Sequence, residues 1–370
     1  MRRYWQPAVL SEEAPIGGPP RPVRLLGEDL VVFRDPAGQI GLLGRRCSHR
    51  GADLCYGEVE ERGIRCFYHG WLYSTSGQCL EQPLEPADSQ FCDSIHHLAY
   101  PCVERGGVIF GYLGPDEPPL LPDYEFLGVP EDQRRARRYL VECNYLQATE
   151  GSVDPLQLMV FNQVFGQDAD RDPSIFGPRA LQVETEDSEF GVRIFAARST
   201  ASDDLAVEVR DFMLPAISTI SGIGIDGYAA HWHVPIDDTH HWRYVLAFRR
   251  DGPLTEEDAE RNGLATVEDY RLTFDLQDRQ QTKANFVAYA ISLAESQGPI
   301  YDRTQEHLVN TDQGLLAMRT VMHKAIQDVQ EGADPLGVVR DAEQNQFANI
   351  GAREQRITKD ADWHLKPRED

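Results

Sequence analysis

Two short motifs in the first third of the chain combine cysteine and histidine at spacings that suit a metal centre. They are Cys47-Ser-His49 and Cys66-Phe-Tyr-His69, with residues 50–65 between them. A [2Fe–2S] cluster in which one iron takes two thiolates and the other takes two imidazoles requires this set of donors. We therefore predict these two cysteines and two histidines as cluster ligands, in a type of cluster whose potential exceeds that of an all-cysteine cluster.

Zinc is the alternative metal, because two cysteines and two histidines also form a common zinc site. Zinc sites favour one arm with two cysteines and a second arm with two histidines, whereas each arm here carries one of each. The spacing therefore favours the cluster. The remaining cysteines are most simply interpreted as buried apolar side chains; they are Cys55, Cys79, Cys92, Cys102 and Cys143.

The bulk composition excludes several classes of partner. The chain has 370 residues, enough for two domains, and a formal net charge of −24. Nucleic acid and anionic membrane surfaces repel such a protein, so neither is expected as a partner. No apolar stretch reaches the length of a membrane-spanning helix, and no apolar signal segment follows Met1. Seven cysteines are too sparse a set for a secreted disulfide framework, so we expect a reducing, cytoplasmic setting.

Residues 1–128 are rich in glycine, proline and short β-type runs, which predicts a small all-β domain holding both motifs in loops. Within it, Leu30–Arg34 and Gln39–Leu43 flank the turn sequence 35–38 and predict a hairpin. Gly107–Leu113 predicts a further strand near the end of the domain.

The rest of the chain divides into three predicted segments. Residues 129–139 are rich in arginine and are interpreted as a basic linker, with a docking patch for an acidic electron donor as the alternative. A second domain over 140–340 mixes strands and helices, and Tyr228–Val234 with Trp242–Phe248 predicts a long hairpin. Residues 341–370 are predicted to be a charged tail that packs loosely or extends over a neighbour.

One long helix is predicted in this second domain, with Thr311 or Asp312 as its N-cap and Gly332 at its C-terminal end. Apolar residues recur along it at helical spacing, which indicates one buried face. We interpret that face as ordinary core; it comprises Leu315, Met318, Met322, Ala325, Ile326 and Val329.

The residues around both motifs resemble a known family. The segments Cys47–Leu54 and Gly63–Trp71, followed by Gly77, resemble the Rieske domain of ring-hydroxylating and demethylating oxygenases. Pro235–His240 and Glu295–Leu308 are similar to the C-terminal domain of the phthalate-dioxygenase-like branch. By this resemblance the chain is identified as a Rieske non-haem iron oxygenase α-subunit.

The resemblance implies an α+β protein, in which an N-terminal all-β Rieske [2Fe–2S] domain precedes a helix-grip (START-like) α+β domain. It implies a head-to-tail ring, trimer or hexamer, in which the cluster of one subunit lies beside the mononuclear iron of the next. A flavin- or ferredoxin-type reductase would supply electrons, and His49 and His69 would face solvent as the electron exit. Ala52 and Tyr68 stand where respiratory Rieske proteins carry a disulfide, which implies a potential near the lower end of the Rieske range.

The family's mononuclear iron site is where this chain departs from the pattern. Active members bind Fe(II) through two histidines, three and eight residues after a bridging aspartate, and one carboxylate. Counting from Asp154, these two positions hold Gln157 and Asn162, and the carboxylate position, five residues before Glu295, holds Ala290. We therefore predict a vacated iron site, with Asp154 kept as an inter-subunit bridge to the neighbour's cluster histidine.

A displaced metal site is the alternative, because four histidines lie close together around the second predicted hairpin. They are His231, His233, His240 and His241. The first two alternate onto one strand face and could chelate a metal, although ordinary hydrogen-bonded roles are favoured.

Three functions follow from these features. The favoured one is a non-catalytic, cluster-carrying subunit that relays electrons towards the iron of a catalytic paralogue in a mixed ring. The alternative is a catalytic mono- or dioxygenase or demethylase with a non-standard iron site, acting on a small aromatic or N/O-methylated substrate. A simple electron carrier is disfavoured, because it would not need the second domain.

Overall fold

The structure is a computed structural model, and it describes residues 1–86, 88–165, 181–200, 204–222, 224–262, 264, 286–347, 349–358 and 361. The side chains of residues 162–165 are outside this description. The chain forms two compact units: the first comprises Met1–Pro119 and Val234–Asp237, and the second comprises Leu120–His233 and Asp238–Asp370. No helix among these described residues is long and apolar enough to cross a membrane.

The first unit is built from short antiparallel strands in three sheets, ordered β1-β11-β10, β2-β3-β4-β9 and β5-β6-β7-β8. This confirms the predicted all-β domain. The strands are β1 (Gln6–Leu10), β2 (Arg21–Leu25), β3 (Glu28–Arg34), β4 (Ile40–Gly44), β5 (Glu58–Glu60), β6 (Gly63–Arg65), β7 (Leu72–Tyr73), β8 (Cys79–Glu81), β9 (Ala99–Tyr100), β10 (Cys102–Arg105) and β11 (Val108–Gly111). Short 3-10 turns lie at Ser11–Glu13, Leu54–Tyr56 and Phe91–Ser94.

The hairpin of β3 and β4 shows how local sequence determines the structure of this unit. Asp35 accepts a hydrogen bond on its carboxylate from the Gln39 N–H at 2.8 Å, and Gly38 takes a φ of +86° that favours glycine. Val31 and Phe33 of β3 and Leu43 of β4 then pack in one core with Cys47 and Cys66. The predicted hairpin is confirmed, and it supports the loops that carry the two motifs.

The second unit is a single antiparallel sheet with helices, which confirms the predicted α+β class. The strand order is β12-β18-β17-β16-β15-β14-β13, and β19 also pairs with β15. The strands are β12 (Arg134–Val141), β13 (Leu181–Asp187), β14 (Gly191–Ser199), β15 (Asp204–Met213), β16 (Ile217–Ser221), β17 (Tyr228–Pro235), β18 (His241–Phe248) and β19 (Arg353–Thr358). The helices are α1 (Glu125–Gly128), α2 (Tyr145–Val153), α3 (Pro155–Phe165), α4 (Glu256–Arg261), α5 (Phe286–Ser296) and α6 (Gln313–Gln330).

The segment predicted as a basic linker differs from that expectation. Strand β12 pairs with β18 along its whole length, from Arg134 opposite Phe248 to Val141 opposite His241. The guanidinium of Arg138 lies 4.1 Å from the ring centroid of Trp242. Arginine side chains can cover a sheet with their apolar stems while the charged ends stay in water. A run of arginines can therefore form a strand that lacks the alternating apolar pattern expected in the sequence.

Residues 120–128 also lie in the second unit, beyond the end of the first at Pro119. Their aromatic side chains explain this, because the Tyr124 ring lies 5.2 Å from that of Phe126 and 6.3 Å from that of Trp232. The sequence predicts the end of the first domain at residue 128.

The charged tail is paired over part of its length. Strand β19 pairs with β15 from Thr358 opposite Asp204 to Arg353 opposite Val209. The buried carboxylate of Asp211 accepts the Gly351 N–H at 2.8 Å, which fixes the chain just before β19. Residues 353–358 of the predicted tail therefore belong to the sheet of their own chain; residues 348, 359, 360 and 362–370 lie outside the described residues.

The predicted long helix is confirmed as α6. It begins after Asp312, and Gly332, at φ +83°, follows its end. Its apolar face is only partly core, since Met318 is fully buried while Ile326 is 54% exposed.

Candidate iron–sulfur site and second metal position

Each cluster motif lies in a tight loop of the first unit, and the two loops share one backbone pattern. The Gly51 N–H donates to the Cys47 carbonyl at 2.8 Å, and the Gly70 N–H donates to the Cys66 carbonyl at 2.9 Å. Both glycines have positive φ, +73° and +78°, which a residue with a side chain rarely adopts. A glycine four residues after each cysteine is therefore a sequence signal for this double loop, and sequence reasoning did not use it.

The two cysteine sulfurs are buried and held among donors. Cys47 and Cys66 are each 3% exposed, and the Tyr73 hydroxyl lies 3.2 Å from the Cys47 sulfur. Burial raises the pKa of the Cys66 thiol, while the backbone N–H groups of Tyr68 and His69 act in the opposite direction by favouring the thiolate. These donors suit sulfurs that bind a metal as thiolates.

The two histidines form a pair of their own. Their ring centroids lie 4.4 Å apart, and the His49 ring stacks on Trp71 at 4.6 Å with an interplanar angle of 9°. The buried Nδ1 of His49 has no hydrogen-bond partner, while the His69 side chain is exposed. A buried imidazole nitrogen that bonds to no protein group can serve as a metal ligand in its deprotonated form.

This donor set fits a [2Fe–2S] cluster better than a single ion. Within the described residues, no three His, Cys, Asp or Glu side chains converge closely enough to hold one metal ion, and the four predicted ligands are among those residues. A tetrahedral zinc site would bring its four donors together at about 2.0–2.3 Å from one point. Two thiolates and two imidazoles around a two-iron cluster need no such convergence.

His97 positions the first loop, although sequence reasoning assigned it no role. Its side chain is buried, with 5% of its surface exposed. Its Nε2 lies 2.7 Å from the Gly44 carbonyl, which only accepts, so Nε2 carries the hydrogen. Nδ1 then accepts from the Ser48 hydroxyl at 2.7 Å, and burial lowers the pKa of His97, which favours this neutral form. The bond holds Ser48 between the two ligands of its loop.

The polar residues of α2 hold that helix in the second unit. Gln147 donates to the Ala294 carbonyl at 2.8 Å. The buried Glu150 carboxylate pairs with Arg303 at 2.9 Å and with Arg319 at 2.7 Å. These contacts give the buried polar residues of α2 a structural role.

The residues predicted to mark a vacated iron site follow this helix. Asp154 lies between α2 and α3, accepts from the Leu156 N–H at 2.8 Å, and has its pKa raised by burial. Gln157 directs its carboxamide towards Gly151, where an added Cβ would meet its Oε1 at 3.6 Å. Ala290 is buried in α5, and Asn162 lies in α3 with its side chain outside the description. The inter-subunit role of Asp154 and the vacancy remain predictions.

The histidines of the second hairpin are bonded to protein groups. His241 Nδ1 donates to the Cys143 carbonyl at 2.8 Å, so its Nε2 accepts from His233 Nδ1 at 3.1 Å. His233 Nε2 in turn accepts from the Ser152 hydroxyl at 2.9 Å. Both ring nitrogens of both histidines are thus occupied. Together with the lack of convergent donors among described residues, this does not support a displaced metal site at His233.

The fold and the loops define the class of this protein: a Rieske-type iron–sulfur protein with a large α+β second domain. The family models agree, since residues 4–99 match "Rieske [2Fe-2S] domain" and residues 111–369 match "LigXa C-terminal domain like". The chain belongs to the Rieske oxygenase α-type subunits that carry this C-terminal domain, as its motifs indicated.

Named relatives support the same assignment. The chain is 34% identical to the phenoxybenzoate dioxygenase subunit alpha of Ectopseudomonas oleovorans, over 91% of this chain and 83% of the relative. It is 32% identical to the phthalate 4,5-dioxygenase oxygenase subunit of Pseudomonas putida, over 98% and 89%. The crystal structure of dicamba monooxygenase bound to dicamba has a TM-score of 0.64 at 18% identity, covering 89% of this chain and 98% of that one, which shows a shared fold.

Proposed function

We propose that this chain is the cluster-carrying, non-catalytic subunit of an oxygenase complex. It accepts electrons from a flavin- or ferredoxin-type reductase and relays them towards a mononuclear iron on a neighbouring catalytic paralogue. The [2Fe–2S] group would supply one-electron transfer when bound, and Cys47, His49, Cys66 and the exposed His69 would hold it. The proposed partners form a head-to-tail ring, and the sparse cysteine set favours a cytoplasmic complex.

The donor chemistry at the second metal position carries this proposal. Gln157 and Asn162 offer amides where the resemblance calls for imidazoles, and Ala290 offers a methyl group where it calls for a carboxylate. Amides and a methyl group cannot form the two-histidine, one-carboxylate site of non-haem Fe(II) oxygenases. The four cluster ligands, by contrast, are all present in matching loops.

A second candidate is a catalytic oxygenase or demethylase with a non-standard iron site. The relatives favour it, since both named proteins are dioxygenase subunits whose names give the aromatic acids phenoxybenzoate and phthalate. On this candidate, the chain alone oxidises a small aromatic or N/O-methylated compound.

Iron and acid-labile sulfide per chain, measured on anaerobically purified protein, separate the two. Two irons with two sulfides would match a cluster alone. A third iron, retained after mild chelation, would overturn the non-catalytic proposal and support the second candidate. Turnover by the lone chain with a reductase would do the same.

A mixed-ring assay tests the relay directly. The catalytic paralogue is prepared without its own cluster and then mixed with this chain and a reductase. Turnover should appear with the parent chain and be absent with a Cys47→Ala variant, because electrons can then enter only through this chain. Equal turnover with both would contradict the relay.

A further inference from the structure

Two cysteines of the first unit that are not predicted cluster ligands are held together by the fold. Cys79 begins β8, and Cys92 lies in the 3-10 turn Phe91–Ser94. The Cys79 N–H donates to the Ile95 carbonyl at 3.1 Å, and the Ile95 N–H donates to the Cys92 carbonyl at 3.1 Å. These two bonds fix the turn against the start of the strand, so the two cysteines meet although residues 80–91 separate them in sequence.

The two side chains are direct neighbours. After burial, the contact with Cys92 is the largest effect on the Cys79 thiol, and together they raise the pKa of Cys79 to about 12. Both cysteines are free thiols, and both pack in the core that contains Cys47 and Cys66. Cys102 is the contrast in the same unit, because burial alone raises the pKa of its thiol.

Other roles explain this pair less well. Apolar packing accounts for the buried Cys79, but Cys92 is only half-buried in a turn whose other residues are largely exposed. A tetrahedral metal site would need further donors, and no three His, Cys, Asp or Glu side chains converge on one point in the part of the chain that the structure describes. The covalent chemistry open to two neighbouring thiols is a disulfide.

The surroundings give the two sulfurs different access to solvent. Cys79 is 2% exposed, whereas the half-buried Cys92 is the thiol that a small oxidant can reach. The Gln82 side chain acts on Cys79 in the opposite direction to burial, by favouring its thiolate. The amide nitrogen and oxygen of Gln82 are buried and have no hydrogen-bond partner. This amide can therefore stabilise the Cys79 sulfur as it gives up its proton.

We propose that Cys79 and Cys92 form a redox modification site, at which hydrogen peroxide converts the two thiols into a disulfide. The Cys92 sulfur attacks one peroxide oxygen and the O–O bond breaks, which leaves a sulfenic acid on Cys92 and releases one water. The Cys79 sulfur then attacks the Cys92 sulfur, the S–O bond breaks, and the departing hydroxide takes the Cys79 proton as a second water. The two thiols lose two electrons and two protons, which the peroxide carries away in the two waters.

The position of the pair gives this reaction a consequence. Disulfides in reducing compartments are usually transient and redox-sensing. The disulfide would join β8 to the turn before β9 within the core that also holds the sulfurs of Cys47 and Cys66. The proposal goes beyond the electron relay, because neither Cys79 nor Cys92 is a predicted cluster ligand.

Peptide mapping of the full, cluster-loaded chain after a small excess of hydrogen peroxide tests the proposal. Chymotrypsin cuts after Tyr73 and a glutamate-specific protease cuts after Glu81, so the digest separates Cys79 from both Cys66 and Cys92. Mass spectrometry should find Cys79 joined to Cys92 while the same sample keeps its iron. A link from Cys79 to Cys66 instead, or a link to Cys92 that appears only as iron is lost, would overturn the proposal.

Reversal by dithiothreitol distinguishes a disulfide from damage. The reductant should return both thiols and leave the iron content unchanged. Sulfinic or sulfonic acid on Cys92 in place of the link, which dithiothreitol does not reverse, would overturn the proposal.

Single substitutions identify the order of the two steps. In Cys79→Ser the sulfenic acid on Cys92 has no resolving thiol, so dimedone should label Cys92 severalfold more than Cys102. Equal labelling of the two would overturn the proposal, because it would show no selective reaction at the pair. Cys102→Ser is the matched control, and it should form the Cys79–Cys92 link as the parent does.

Cys92→Ser is the milder variant if Cys79→Ser fails to fold, since position 92 is only half-buried. It should form no link and keep its iron, and a cross-link at Cys79 that persists in it would overturn the pairing. The relay is tested separately, by iron content of the untreated chain and by mixed-ring turnover, so a failure of either idea leaves the other standing.

Discussion

The cluster loops of the first unit and the helix pair around Asp154 in the second unit differ in whether their polar atoms are bonded to protein groups. In the loops, His49 keeps a buried ring nitrogen with no protein partner. Around the second position, His233 and Asp154 are bonded to neighbouring protein groups. This difference indicates that a candidate metal ligand is identified better by a ring nitrogen or oxygen that bonds to no protein group than by its residue type alone.

The largest expected effect comes from removing one cluster ligand. Cys66→Ala should abolish the cluster, because the remaining thiolate and two imidazoles leave one iron with half of its protein ligands. Iron and sulfide should fall from two each to near zero, and the visible absorption should disappear with them.

Cys143→Ala is the control for this change, since Cys143 is also a buried thiol and lies in the second unit. It should keep full iron and sulfide content. Loss of iron in the Cys143 variant to the same degree would break the comparison between the two regions.

Removal of a fully paired carboxylate from the second unit sharpens the same comparison. Asp211 is fully buried, pairs with Arg193 and holds Gly351 before β19. Asp211→Ala should lower the free energy of unfolding by about 3–5 kcal/mol, because it leaves the Arg193 charge unpaired. Urea unfolding followed by circular dichroism measures this.

Asp251→Ala is the matched control, because its carboxylate forms an exposed pair with Arg249. The urea midpoint of this variant should stay at the parent value. An equal loss of stability in both variants would show that burial of the pair is not what makes Asp211 important.

The candidate cluster site could be predicted from sequence because its information is local. Each Cys/His motif lies within a segment of a few residues, and the all-β domain was predicted from short β-type runs, whereas the α+β class came from the resemblance to the family. His97 could not be found this way. It meets Ser48 only through the sheet register, across 49 positions of sequence.

Strands β12 and β19 show a second limit of structure prediction from sequence. Arginine-rich and charged segments have no apolar alternation, so the sequence predicts a basic linker over 129–139, which includes most of β12, and a charged tail over 341–370. Their place in the sheet is set by pairing with β18 and β15, which are remote in sequence.

The bonded histidines of the second unit predict a loss of stability in acid. Burial lowers the pKa of His241 to about 4, against an ordinary value of 6.5. As the pH falls from 6.5 to about 4, the unfolded chain gains a proton that the folded chain does not, so stability falls by up to about 3 kcal/mol. Thermal unfolding at several pH values across this window measures the slope.

His241→Gln tests whether protonation of this residue contributes to the pH dependence of stability. A glutamine amide can donate to the Cys143 carbonyl and accept from His233, as the neutral imidazole does, but it does not titrate. The variant should therefore lose stability less steeply in acid than the parent. A slope unchanged from the parent would contradict the assignment of a lowered pKa to His241.

The smallest expected effect lies back at the cluster loops and concerns Tyr73. Its buried hydroxyl lies 3.2 Å from the Cys47 sulfur, and a hydrogen bond to a ligand sulfur favours the more negative, reduced cluster. Tyr73→Phe should keep two irons per chain and lower the midpoint potential by about 60 mV, equivalent to a tenfold change for a one-electron couple.

A redox titration followed by electron paramagnetic resonance measures the Tyr73 effect, with Tyr112→Phe as the control. Tyr112 is an equally buried tyrosine of the first unit, but its hydroxyl donates to the Pro115 carbonyl at 3.1 Å and contacts no ligand. The potential should move only in the Tyr73 variant. Equal shifts in both variants would mean that loss of any buried hydroxyl perturbs the cluster loops. The polar atoms of these loops would then not differ from those of the second unit in the way that the comparison proposes.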